Sequence, residues 1–86
     1  MYKKVMGAII SKTDDEFYII KDNDVYHINE TAARIFDLCN GKNGMDDIIQ
    51  KLSSYFEVSS NDLSEFEEDV NFFLSELVSL GLVRAV

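Results

Sequence analysis

The chain has 86 residues, 47% of them hydrophobic, and a formal net charge of -8. That length allows one small domain burying about 60% of its unfolded surface, enough for a core but not for an enclosed active site beside it, and the acidity repels phosphate backbones and anionic lipid. One cysteine cannot form an intramolecular disulfide, no apolar run approaches a membrane span and the start has no signal-peptide form, so a reducing cytoplasm is the expected location.

In residues 1–12 the apolar Val5, Met6, Ala8, Ile9 and Ile10 are too few for a helix face, and a strand is predicted at 8–11. A polar turn at 13–15 leads to a second strand at 16–21, carrying Phe17, Tyr18, Ile19 and Ile20, and a turn at 22–24 leads to a third at 25–28. Connections this short leave no room for crossover helices. The three strands should therefore form an antiparallel meander with the first and third on its edges.

Asn29 marks the change of period. Its amide oxygen suits an N-cap and Glu30 suits the positive end of a helix dipole, while Ala32, Ile35, Phe36 and Cys39 recur at helical spacing, predicting a helix at 30–40 stopped by Gly41. A second helix at 45–56 puts Met45, Ile48, Ile49, Leu52, Tyr55 and Phe56 on one face, with Gly44 where a Ser or Thr cap would be usual. Ser59 and Asp62 have capping-box spacing, which predicts a third helix at 60–80, ended by Gly81 with Leu82 and Val83 folding back on it. Three strands followed by three helices is an α+β domain.

The segment from Ile28 to Phe36, reading Ile-Asn-Glu-Thr-Ala-Ala-Arg-Ile-Phe, the Asn40-Gly41 stop, and the closing Val70, Phe73, Leu74, Leu77, Gly81-Leu82-Val83 pattern resemble the PqqD family. That resemblance implies that residues 1–86 are a single winged helix-turn-helix-like recognition element. Such an element binds the leader of a ribosomally made precursor peptide and presents it to a modifying enzyme such as a radical enzyme, protease or cyclase. It places the leader on the free edge of the third strand, Val25, Tyr26, His27 and Ile28, with the third helix as floor.

An exposed edge offers unpaired amides and carbonyls to any extended peptide, and side-chain pockets beside it choose the sequence. On the helical wheel Phe66, Val70, Leu74 and Leu77 share a face, Phe73 lies at its margin and Asp69 beside that margin. Phe66, Val70, Phe73 and Leu77 are thus the expected apolar pocket, and Asp69 the expected partner of a basic leader side chain. Phe66, Val70 and Leu77 also fit a plain core role, and Phe72, nearly opposite the buried face, fits either a scattered surface aromatic or a protein contact. Cys39 fits a small buried hydrophobe.

No cofactor or metal is expected, and two free sheet edges allow a monomer or a strand-mediated dimer. A winged helix could alternatively bind DNA, but the second and third predicted helices carry only Lys51 as a cation. A carrier protein needs a modifiable serine in a setting this chain lacks. An enzyme needs convergent polar groups, and one His and one Cys supply none. A structural protein-protein adaptor remains the other alternative to leader binding.

Overall fold

The computed structural model describes residues 1–86. Strands β2 (Ile9–Thr13), β3 (Glu16–Lys21) and β4 (Asp24–Ile28) form an antiparallel meander in the order β2-β3-β4. Asp14 and Asp15 both hold positive φ, 50° and 66°, the signature of a type I′ turn whose twist matches that of the strands it joins. Two residues, Asp22 and Asn23, likewise join β3 to β4, with Lys21 opposite Asp24. Register then places Ile19 between Ile10 and Tyr26 on one face, the face that meets the helices, and Ile19 is fully buried.

Asn29 acts as the sequence predicts. Its Oδ1 accepts the amide of Ala32 at 2.8 Å, opening helix α1 (Glu30–Leu38) directly out of β4. Helix α2 (Met45–Tyr55) starts at Gly44, which has no side chain to cap with. The Asp47 carboxylate supplies half of a box instead, accepting the Gly44 amide at 2.9 Å. Helix α3 (Leu63–Ser79) ends in a Schellman motif: Gly81 takes φ +74°, its amide bonds Val78 O at 3.0 Å, and the Leu82 amide bonds Leu77 O at 2.9 Å. Leu82 and Leu77 are both buried, the apolar contact expected of that cap.

Element boundaries differ from the sequence reading by one to three residues, with β2 at 9–13 against 8–11, β4 starting at Asp24 and α3 ending at Ser79. The first helix stops at Leu38, because Asn40 and Gly41 belong to a strand, β5 (Asn40–Asn43). The second stops at Tyr55. The third starts at Leu63 and not near Ser60, because Ser59 Oγ donates to the Asp62 carboxylate at 3.0 Å, joining the two side chains to each other in a turn where a capping box would have joined each to the backbone.

The larger addition is a second antiparallel sheet, which makes six strands in all. β1 (Tyr2–Lys4) is its centre, flanked by β5 and by β6 (Val83–Ala85) in the order β5-β1-β6. Both chain ends are tied here, the Val86 amide donating to Met1 O at 2.8 Å. Asn43 is buried at the sheet's margin with its polar atoms satisfied: Nδ2 donates to Leu38 O at 2.9 Å and Oδ1 accepts from Lys51 Nζ at 2.7 Å. One apolar core joins the parts. Ile19 of β3, Ile35 and Phe36 of α1, Ile48 and Leu52 of α2, and Val70, Leu74 and Leu77 of α3 belong to it, with Leu82 and Val83 closing it from below.

Because Asn29 is the only side chain capping α1, Asn29→Ala should lower the unfolding free energy by about 1 kcal/mol while Asn29→Asp, which keeps the acceptor, should lower it much less. Urea denaturation of the three proteins checks this, and equal midpoints for all three would contradict it.

Candidate functional site

β4 pairs only with β3, so one side of it is open. The two-residue turn makes Lys21 and Asp24 the first hydrogen-bonded pair, and alternation along an antiparallel ladder then turns the N–H and C=O of Val25 and His27 away from β3. None of the backbone hydrogen bonds formed outside the helices and strands engages these two residues. The C-terminal half of α3 runs beside this edge. Between them lies a groove of about 580 Å³, open to solvent, with Val25 to Ile28 and Asn29 on one wall, Phe72, Phe73, Glu76, Leu77 and Leu80 on the other, and Ala32 of α1 at its base.

The groove is apolar where a soluble surface ordinarily is not. Val25, Phe72 and Leu80 are 62%, 60% and 44% exposed, so three of the chain's large exposed hydrophobic residues converge on one hollow. Convergence of this kind distinguishes a binding surface from single scattered residues. Phe72 and Phe73 stand edge to face, their ring centroids 5.6 Å apart. On the strand side, the ring of His27 lies 5.1 Å from that of Tyr18 and its Nε2 meets the Glu16 carboxylate, which ties the exposed imidazole back onto β3.

Of the residues singled out in the sequence, Val25, Tyr26, His27, Ile28, Phe73 and Leu77 come together here. Phe66 and Asp69 do not. They line a separate hollow with Phe56, Glu57, Val58 and Asp62, where Phe66 meets Phe56 edge to face at 6.1 Å. Val70 is fully buried and belongs to the core. Phe66 shares the wheel angle of Phe73 but lies seven residues, about 10 Å, before it along the helix, and lines the other hollow. Phe72, Glu76 and Leu80 were missed as groove residues. Their spacing from Phe73 and Leu77 puts them on adjoining rows of one helix, but only the strand's position shows that this stretch is the walled one.

Neither of the two residue types most often catalytic is placed to react. Cys39 is fully buried and its Sγ donates to Ile35 O at 3.2 Å. Burial pushes its thiol up from 9.0 to about 11, outweighing the opposing pull of the Lys4 ammonium. His27 is tied to the Glu16 carboxylate, the groove offers no Ser, Thr, Cys or Lys nucleophile and has Glu76 as its one carboxylate, and no cluster of three metal-ligating side chains occurs in the structure.

With the geometry in view, the chain can be set beside known proteins. The family model described as coenzyme PQQ synthesis protein D (PqqD) matches residues 16–83. A PqqA binding protein of Methylococcus capsulatus is 28% identical over 75 residues, which cover 87% of this chain and 75% of that protein. A solved structure, TbiB1 in complex with the TbiA(beta) leader peptide, is similar at a TM-score of 0.74 and 19% identity, covering 98% of this chain and 96% of that one. At that identity the likeness speaks for the fold, α+β, and agrees with the two sheets and three helices described above.

Folded Cys39 holds its proton more tightly than unfolded Cys39, so its contribution to stability is complete below pH 9 and is lost as the pH rises through about 11. Cys39→Ala should therefore flatten the fall in unfolding free energy across that window. Denaturation midpoints at pH 8, 9.5 and 11 check this, and identical slopes in both proteins would contradict it.

Proposed function

The chain belongs to the PqqD family, and on that premise we propose that it is a leader-binding adaptor, which pairs an extended precursor peptide with the free edge of β4 and holds it for a modifying enzyme. The observation that carries this reading is the pairing of an open strand edge with a largely apolar groove walled by α3. Main-chain bonds to Val25 and His27 supply affinity without regard to sequence, and side chains that alternate toward α3 enter the hollow between Tyr26, Ile28, Phe73 and Leu77. The relative from Methylococcus capsulatus binds PqqA by its name, and the TbiB1 structure holds a leader peptide. Both support peptide binding as the use of this fold.

The protein is proposed to do no chemistry itself. Its part is positional, since a leader fixed on one edge delivers the following core peptide to an enzyme at a raised local concentration. The enzyme's chemistry, whether radical, proteolytic or cyclising, is its own.

Selection of extended peptides from a displayed random library against the folded protein should yield binders whose affinity depends on the groove. Phe72→Ala and Phe73→Ala should each weaken such a binder by about 1–3 kcal/mol, as interface aromatics do. Phe72, being 60% exposed, should show that loss with little change in unfolding free energy. Isothermal titration beside urea denaturation checks both. Binders indifferent to Phe72 and Phe73 would move the site elsewhere.

A further inference from the structure

The groove has a charge of one sign, and it has it in one place. Among its lining residues there is no Lys or Arg, and Glu76 is the one carboxylate. Glu76 is exposed and takes part in none of the chain's ion pairs, which join Lys12 to Asp15, Lys21 to Asp22, His27 to Glu16 and Arg34 to Glu30. It stands three residues from Phe73 and four from Phe72 and Leu80, so on the helix surface it is flanked by apolar side chains. A cation brought to it by a bound peptide would meet a carboxylate that no cation of the chain engages.

Resting on the leader-binding reading above, we infer that Glu76 is the specificity-determining residue of the groove and selects leaders that carry Lys or Arg two positions from a large apolar anchor. The spacing follows from the two geometries. Glu76 lies about one helical turn, 5.4 Å, along α3 from the Phe72 and Phe73 pair. Side chains on one face of an added strand recur about every 6.7 Å, which is every second residue. A peptide whose anchor fills the hollow at Phe73 therefore brings its next same-face side chain over Glu76. An acidic residue there meets a like charge beside an apolar wall, and a basic one meets its counterion. Asp69, two turns earlier on the helix, is too far along α3 to take this part and lines the other hollow.

Net charge alone would favour basic peptides on a chain at -8, so the test separates local from general attraction. A library-selected binder carrying a basic residue two positions from its apolar anchor is synthesised with Lys, Gln or Glu at that position and titrated against wild type, Glu76→Lys and Glu68→Lys. Glu68 lies eight residues, about 12 Å, earlier on α3 and lines no hollow, and the two variants have the same net charge. On wild type the Lys peptide should bind about tenfold tighter than the Glu peptide, as expected when an attraction is replaced by a repulsion at a partly exposed pair. Glu76→Lys should invert that order and Glu68→Lys should leave it. If peptides bind the β4 edge with no preference, or if Glu68→Lys changes the preference as much as Glu76→Lys does, the assignment to Glu76 is wrong while leader binding stands. If selection yields no β4-edge binder at all, the leader-binding reading is what fails.

Discussion

The structure turns on a strand edge that is left open and kept open. Backbone N–H and C=O groups that face an apolar wall without partners are costly, and a free edge is ordinarily blunted or covered. β4 is instead faced by α3 across an open groove. The neighbourhood limits unwanted pairing. The β3-β4 turn carries Asp22, β4 opens with Asp24 and is five residues long, and the exposed Phe72 lines the groove. A second copy presenting its own edge would bring its own acidic turns and α3 wall with it.

Everything else positions those two walls. Asn29 converts β4 into α1 with no intervening loop, so strand and helix are fixed relative to each other by one cap. Phe36 and Ile35 of α1 pack on Val70 and Leu74 in the common core, which fixes α3 relative to α1. The second sheet ties β1 to β5 and β6, and so anchors the end of α3 through the Schellman turn at Gly81. The groove is thus built on rigid elements, and a peptide entering it has little of the host left to order.

Much of this was legible in the sequence, and the failures have a common cause. The meander, the three helices, the Asn29 cap and the Gly81 stop rest on local signals of period, turn chemistry and capping. β1, β5 and β6 have none: two are three residues long, and β5 reads Asn-Gly-Lys-Asn, a turn by composition that pairs only because β1 is beside it. The same holds for the site. Helical spacing puts Phe66, Asp69, Phe73 and Leu77 on one side of α3, but the last two line the groove beside β4 and the first two a separate hollow. By sequence Phe72 fits a stray surface aromatic as well as a protein contact, because the wall opposite it comes from another part of the chain. The charge pattern needed no structure: α2 and α3 carry Lys51 as their one cation, which is a poor basis for holding phosphates, and no helix is long and apolar enough to cross a membrane.

Amide hydrogen exchange at single-residue resolution tests the central claim most directly. In the free protein, Val25 and His27 should exchange faster than Tyr26 and Ile28, since only the latter pair donates into the ladder. Addition of a saturating groove-binding peptide should slow Val25 and His27 selectively and leave β2, Ile9–Thr13, unchanged. Protection gained along β2 with none at Val25 and His27 would place the peptide on the opposite edge and contradict the account.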